Sequence, residues 1–180
     1  MGTVKLKFPK KLWTKKDTMR LAMNTLASIK LRTSKGLDAD GNKFDEYSVK
    51  PIYIPIGKGT GARLKPKGGR VSRTGKSVFY SEGYKQYKHE SRERGGKNPY
   101  QDDSAEVDLV LSGSLMNNLV VLSAEQTRFT IGLTSHVQYY GYYVNEKREF
   151  IGLSDKDVEI LFQTVRAEIA NKINKEDKKK

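Results

Sequence analysis

The residues best suited to chemistry in this sequence are acidic side chains clustered within seven positions. The cluster comprises Asp102, Asp103, Glu106 and Asp108. Such clusters hold divalent metal ions, and metal-dependent nucleases use them to activate water. However, Glu106 and Asp108 alternate with apolar residues, and this period of two predicts that both lie on the solvent side of a strand. The spacing favours a solvated surface and leaves a metal-dependent nuclease as a further alternative.

Two short segments resemble ligand-binding motifs but lack the spacing or the residues that those motifs require. Gly75–Ser77 has the letters that end a phosphate-binding loop, but five residues separate it from Gly69 where the motif requires four. The segment 38–42 matches the start of a calcium-binding EF-hand loop, but its sixth position is Lys43 and its twelfth is Val49. A turn held by Asp and Asn side chains accounts better for this segment. No cofactor, metal site or catalytic residue is therefore predicted.

Composition limits the classes of protein to consider. The chain has 180 residues, no cysteine and a formal net charge of +13. Its length fits one domain, and the lack of cysteine excludes disulfides and thiolate zinc sites. No apolar run reaches the roughly 20 residues that span a membrane, and residues 1–11 lack the apolar stretch of a signal peptide. We expect a soluble protein that is not secreted by the usual route, with no membrane partner and no small-molecule substrate.

The positive charge is concentrated in the first hundred residues. They hold 24 basic and 8 acidic side chains, whereas residues 101–180 hold 10 basic and 13 acidic ones. Residues 57–75 contain six glycines and too few apolar groups to fold alone, so they are predicted to form a long flexible loop. A basic segment on an otherwise ordinary domain favours a polyanion or an acidic protein surface as its partner.

Aromatic residues follow this basic loop at near-helical spacing. Tyr80, Tyr84 and Tyr87 are interleaved with basic residues. The basic residues are Lys85, Lys88, Arg92 and Arg94. The pattern permits two interpretations. The tyrosines can form the packed face of a surface helix that ends at the glycine pair 95–96, or their rings can stack on the bases of single-stranded nucleic acid. The second interpretation makes a basic nucleic-acid-binding protein, using residues 58–97, the alternative function.

Two long helices are predicted near the ends of the chain. Thr14 and Asp17 form a capping pair for a helix that runs to about Ser34, and Ser154 with Asp157 caps a closing helix. The apolar face of the first helix comprises Met19, Leu21, Ala22, Met23, Leu26 and Ile29. The apolar face of the second comprises Val158, Leu161, Phe162, Val165 and Ile169. We expect both faces to pack on a sheet.

The stretch 109–153 is the densest apolar part of the chain. Ser112 or Ser114 is predicted to cap a helical turn, whose apolar residues are Leu115, Met116 and Leu119. Residues 120–122 and 129–133 predict two strands joined as a hairpin. A tyrosine cluster at 139–143 then leads into a loop. The predicted fold class is α+β, with a small, mainly antiparallel sheet packed by the long N-terminal and C-terminal helices, and a long basic Gly-rich loop.

Two parts of the sequence resemble one known family. The first is the helix end Leu31-Arg32-Thr33, followed by an Asp-Gly turn at 38–41 and a Phe…Tyr-Ser segment at 44–48. The second comprises a Ser-Gly-x-Leu-Met step at 112–116, the strand FTIGLT at 129–134, a Tyr-Tyr-Gly segment and the letters RxFIGLS at 148–154. In order and spacing, these parts resemble the tail-completion or head–tail connector (neck) proteins of tailed bacteriophages, often called phage virion morphogenesis proteins. The two patches span roughly residues 29–48 and 107–170.

The resemblance implies a structural virion protein of the phage neck and not an enzyme. Proteins of this group form rings, commonly hexamers or dodecamers, that join the portal vertex of the head to the tail. The implied partners are further copies of the chain, the portal or adaptor ring, and tail terminator or tail tube proteins, with channel DNA as a further contact. The implied location is the virion, at the head–tail interface, after assembly in the host cytoplasm.

The whole chain is predicted to be one connector-like domain with three appendages. These are an N-terminal arm at 1–13, the basic loop with a short helix at 57–105, and a charged, frayed tail at 174–180. The arm and the β-prone run near Ile52 are candidates for strand addition to a neighbour, and the loop for ordering on assembly. The candidate interaction surface comprises Phe8, Ile52, Tyr53, Ile54, Lys58, Arg63, Lys65, Lys67, Arg70, Arg73 and Lys76.

Overall fold

A computed structural model describes residues 2–5, 12–56, 66–91, 107–109 and 113–177 of the chain. The elements are β1 (Gly2–Lys5), α1 (Lys15–Ser34), β2 (Ile52–Pro55), β3 (Arg70–Val71), β4 (Ser77–Tyr80), α2 (Gly83–Ser91), α3 (Ser114–Asn117), β5 (Leu119–Ala124), β6 (Arg128–Leu133), α4 (Ser135–Lys147) and α5 (Asp155–Asp177). The strands form two three-stranded antiparallel sheets, in the orders β1-β6-β5 and β2-β4-β3. The predicted α+β class is confirmed.

The larger sheet contains the predicted hairpin, with β5 paired to β6. Phe129, Ile131 and Leu133 of β6 are buried, as their alternation predicted. On its other side β6 pairs with β1, from Gly2 opposite Ile131 to Lys5 opposite Arg128. The prediction that the N-terminal arm adds to a neighbour is therefore wrong for residues 2–5, because their partner strand is in the same chain. Residues 6–11, including Phe8, lie outside the described residues.

The start of α1 is fixed by the predicted capping pair. The Thr14 hydroxyl accepts from the Asp17 amide, and the Asp17 carboxylate accepts from the Thr14 amide, which makes a capping box. The buried Trp13 ring donates to the Thr18 hydroxyl over 2.8 Å, and Thr18 donates in turn to the carbonyl of Gln126 over 2.7 Å. These contacts tie the first turn of α1 to the connection between β5 and β6.

Helices α1 and α5 run antiparallel and are joined by ion pairs along their length. Arg32 at the end of α1 meets Asp157 at the start of α5 at 2.6 Å. At the opposite ends, Arg20 meets Glu168 at 2.6 Å and Lys172 meets Asp17. Because opposite ends of the helices pair, the ionic contacts fix their direction as well as their alignment.

Both long helices bury narrower faces than the sequence predicts. In α1 the residues Leu21, Ala22, Leu26 and Ile29 are buried, but Met19 and Met23 are exposed, so their assignment to the apolar face was wrong. In α5 the buried residues are Leu161 and Val165. Val158 and Phe162 are 37% and 49% exposed, so the prediction that they belong to the core is also wrong.

Part of the predicted basic loop is folded as the smaller sheet. Ser72–Gly75 is a tight turn between β3 and β4, closed by a hydrogen bond from the Gly75 amide to the Ser72 carbonyl. The inner face of this sheet packs against α2 around Val78, Tyr80 and Tyr87. The prediction of a loop throughout 57–75 is therefore wrong for residues 70–75, while residues 57–65 lie outside the described residues. Strand β2, which ends in Pro55, lies at the edge of this sheet, where a residue without an amide hydrogen is tolerated.

Four local predictions from residue 112 onwards are wrong. The turn before β5 is capped by Gly113 with no side-chain bond, not by a serine, and Leu119 already belongs to β5. The tyrosine cluster, for which no element was predicted, forms helix α4, and this helix continues to Lys147 into the predicted loop. Helix α5 continues to Asp177 through the first part of the predicted frayed tail. None of the described helices is long and apolar enough to cross a membrane.

A matched pair of leucines tests the position of the core. Leu115 is 6% exposed and Leu122 is 40% exposed. Replacing Leu115 with Ala should lower the free energy of unfolding by about 2–5 kcal/mol, because the truncation leaves a cavity. Replacing Leu122 with Ala should cost a small fraction of that. Urea denaturation of the two variants compares them, and equal losses would contradict the described burial.

A pH titration tests the contact between the ends of α1 and α5. Burial would raise the pKa of the Asp17 carboxyl, but hydrogen bonds from Lys172 and Thr14 outweigh it and lower the pKa to about 2. Because the folded pKa lies below the ordinary value of 3.8, the stability due to this carboxylate is present above pH 4 and is lost as the pH falls towards 2. Thermal melts should show this loss in the wild type and a weaker one in Asp17→Asn. A parallel decline of both proteins would contradict it.

Candidate functional site

The two sequence patches that carry the family resemblance meet at the end of α1. The Arg32 guanidinium donates to the carbonyls of Phe150 over 3.2 Å and Gly152 over 2.9 Å, while its other terminal nitrogen pairs with Asp157. One side chain thus holds the end of α1, the connection between α4 and α5, and the first turn of α5. We call the segments 31–47 and 148–157, joined in this way, the Arg32 junction.

Backbone contacts complete the Arg32 junction. The Ala39 amide donates to the Glu149 carbonyl over 2.7 Å. A Cβ added to Gly152 would lie 2.7 Å from the Cβ of Ala39, so a larger residue would push the two segments apart. Within the first segment, the Asp38 carboxylate accepts from the amides of Asp40 and Asn42. The predicted Asx turn is confirmed, and its function is to present residue 39 to the second segment.

A buried ion pair lies between α2 and the segment 107–109. The Lys88 ammonium meets the Asp108 carboxylate at 2.5 Å, and both side chains are at most 4% exposed. The predictions that Lys88 lies on a surface helix and that Asp108 faces solvent are therefore wrong. The pairing was not visible in the sequence, because twenty residues separate the two and the alternation around Asp108 predicted an exposed side chain. The remaining acids of the predicted metal cluster, at 102, 103 and 106, lie outside the described residues.

Tyr47 covers this ion pair from the side of the Arg32 junction. Its hydroxyl accepts hydrogen bonds from the Lys88 ammonium and from the Leu109 amide. The Lys88 ammonium lies 4.2 Å from the centre of the Tyr47 ring, and the Arg148 guanidinium lies 5.2 Å from it. Burial, followed by the nearby Asp108 carboxylate, raises the pKa of the Tyr47 hydroxyl. Tyr47 therefore stays neutral and links the Arg32 junction to the ion pair.

The tyrosines after the basic loop are structural. Tyr80 belongs to β4, so the prediction of one helix carrying all three tyrosines is wrong. Tyr84 and Tyr87 lie on α2 as expected. The ring centroids of Tyr80 and Tyr87 are 5.3 Å apart, and those of Tyr47 and Tyr84 are also 5.3 Å apart, both in edge-on contact. Packing of this kind stabilises the core, and the buried rings of Tyr80 and Tyr87 are not available to stack on nucleic acid.

The outer face of the smaller sheet carries part of the predicted interaction surface. Tyr53 on β2 pairs in register with Phe79 on β4, which pairs with Arg70 on β3. We call this row of three the outer row. Ile52 and Ile54 point to the opposite, inner face and pack in the small core, so the structure separates them from Tyr53. Lys67, Arg73 and Lys76 are exposed nearby, whereas Lys58, Arg63 and Lys65 lie outside the described residues.

Helix α4 presents a tyrosine face that sequence reasoning missed. Tyr139 is 94% exposed and Tyr143, one turn later, is 58% exposed; Tyr140 and Tyr142 flank them. The opposite side of the helix is buried at Val137 and Gly141. A Cβ added to Gly141 would lie 2.1 Å from the Cδ1 of Leu133, so the glycine lets α4 pack directly on β6. The signal was present in the period of the tyrosines, which matches a helix.

Helix α5 exposes a second apolar surface. Val158, Phe162 and Ile173 lie at helical spacing beside the buried stripe, and each is more than a third exposed. We call these three residues the α5 stripe. Large apolar side chains in such a row are typical of an interface. The chain therefore has apolar surfaces on two helices that other described residues do not cover.

Among the described residues, no group of three or more His, Asp or Glu side chains could hold a metal ion. His89 and His136 are exposed and lie on different helices, α2 and α4. His136 is 3.4 Å from the hydroxyl of Thr134, a local contact at the start of its helix.

Comparison with known proteins found no family model, no curated protein and no solved structure that matches the chain.

A double-mutant cycle tests the importance of the buried pair. Lys88→Met should lower the free energy of unfolding by about 3–5 kcal/mol, because it leaves the Asp108 carboxylate buried without its cation. Adding Asp108→Leu to that variant should recover most of the loss, since two apolar side chains can replace a buried ion pair. Urea denaturation measures each step.

The exposed pair between Arg128 and Glu125, at 2.6 Å, is the matched control. Arg128→Met should leave the urea midpoint almost unchanged, because water screens the pair. If the double variant at positions 88 and 108 were no more stable than Lys88→Met alone, the two charges would not depend on each other as described.

Proposed function

We propose that this chain is a structural virion protein of the phage neck, which forms a ring that joins the portal vertex of the head to the tail. The observation that carries the proposal is the Arg32 junction. Two patches about a hundred residues apart, each resembling neck proteins, are joined there by the contacts of Arg32, Ala39 and Gly152. Because the two patches contact each other in the fold, a common architecture with neck proteins explains the resemblance better than chance similarity of short motifs does.

The exposed apolar surfaces support a role in assembly. A closed ring requires two different surfaces on each copy, because each copy contacts its neighbours head to tail. The tyrosine face of α4 and the α5 stripe are two such surfaces. We assign the α4 face of one copy to the α5 stripe of the next. Tyrosine suits this position because it supplies a large apolar area that still tolerates water before assembly.

The other partners follow from the location of the ring. One side of the ring would contact the portal or adaptor ring, and the other the tail terminator or tail tube proteins, in a virion assembled in the host cytoplasm. On this proposal the protein recognises protein surfaces and performs no catalysis. The excess of positive charge in residues 1–100 suits contact with acidic ring surfaces or with DNA in the channel.

Two surface variants and their mixture test the proposed ring contact. Tyr139→Glu/Tyr143→Glu removes the α4 face, and Phe162→Glu removes the α5 stripe. The wild type should form rings, alone or on purified portal rings, and each variant should be monomeric. Mixed in equal amounts, the variants should form a dimer and nothing larger, because one intact contact remains between them. Light scattering and negative-stain imaging measure the outcome.

The control variant is Val49→Glu, which changes another exposed apolar residue, 58% exposed and on neither helix. It should form rings like the wild type. Rings formed by either surface variant would contradict the assignment of the contact but not the ring. A wild type that remains monomeric with portal and tail components would contradict the neck function itself.

A further inference from the structure

We propose that the outer face of the smaller sheet binds single-stranded nucleic acid, with bases stacked on Tyr53 and Phe79 and phosphates held by Arg70 and nearby cations. The site is separate from the α4 face and the α5 stripe, and it does not rest on ring formation. It overlaps the basic segment 58–97 that the sequence suggested, but it places base stacking on Tyr53 and Phe79, because the tyrosines at 80 and 87 are buried.

The aromatic pair is the first observation. Tyr53 is 63% exposed, and its ring centroid is 4.9 Å from that of Phe79, which is half-buried. The small core does not require either ring on this side, because Ile54 and Val78 already fill the inner face between the same two strands. Two neighbouring aromatic rings on an open sheet face form a platform on which unpaired bases can stack.

The charge around the platform is the second observation. Antiparallel register brings Arg70 to the same face as Phe79, at the end of the outer row. Arg73 and Lys76 are exposed in the connection between β3 and β4, and Lys67 is exposed shortly before β3. Residues 66–80 contain no acidic side chain, and none of the four cations forms an ion pair with another described residue. The platform thus has Arg70 beside it and belongs to a basic segment whose charge a phosphate backbone can neutralise.

The combination of rings and cations favours a single strand over other polyanions. In a duplex the base faces are stacked inside the helix, so a flat sheet face could use only its cations. An acidic protein surface would likewise engage the cations and give Tyr53 no partner of matching shape. Only a strand with exposed bases uses both features, so binding should depend on the aromatic ring as well as on salt.

Fluorescence anisotropy with a labelled oligothymidylate of about 12 nucleotides tests the proposal on the full chain. The wild type should bind, and Tyr53→Leu should weaken binding by about tenfold or more, because leucine keeps the apolar bulk but cannot stack. Tyr53→Trp should restore it. Arg70→Gln should reduce the steepness of the plot of log affinity against log salt by about 0.7, the value for one phosphate contact on a single strand.

Matched controls lie elsewhere on the surface. Met23→Ala changes an exposed apolar residue on α1, and Lys156→Gln changes an exposed cation on α5; neither should alter the affinity. The proposal is overturned if the oligonucleotide does not bind at low salt, or if Tyr53→Leu binds as the wild type does. It is equally overturned if duplex DNA or polyglutamate binds as tightly as the single strand.

Discussion

The buried ion pair of Lys88 and Asp108 is the constraint that unites this fold. Burying either charge alone would cost several kcal/mol, and the attraction between the two charges offsets part of that cost. Lys88 belongs to α2, which packs on the smaller sheet, whereas Asp108 adjoins Val107 in the core of the larger one. Tyr47 joins the same contact from the Arg32 junction. The two sheets are therefore coupled through this polar cluster and through the ring contact of Tyr47 with Tyr84, although their buried apolar clusters are separate.

Buried polar contacts join distant segments of the chain, while several large apolar side chains remain exposed. Arg32, Asp17 and Asp108 all use partially or fully buried charges to join segments distant in sequence. By contrast, Tyr139, Phe162 and other large side chains lie exposed on α4 and α5. Monomeric soluble proteins rarely expose large contiguous apolar patches. Exposed apolar side chains on a fold held by buried ion pairs suit a protein that packs against other molecules.

Sequence patterns predicted those elements whose signal is local. The capping pairs at Thr14 and Ser154 fixed the starts of both long helices, and the alternation in β6 fixed a strand. Helix α4 was missed because tyrosine favours strands and Gly141 suggests a turn, while the reason for that glycine is its contact with Leu133. The roles of Lys88 and Asp108 depend on a tertiary contact that no local pattern encodes. The sequence identified Tyr53 and Arg70 of the outer row but not Phe79. Only the strand register shows that the three lie side by side.

The pairing of β1 with β6 has a consequence for the order of events during synthesis. Gly2 lies opposite Ile131, so β1 leaves the ribosome more than a hundred residues before its partner strand exists. The hairpin of β5 and β6 is local and forms as soon as it emerges, but its β6 edge stays open until β1 returns across the intervening chain. A nascent chain on the same messenger can offer its own β1 to that open edge. When several ribosomes translate one messenger, β1 of one copy can therefore pair with β6 of another and form an entangled dimer. Refolding of dilute protein would not show such dimers.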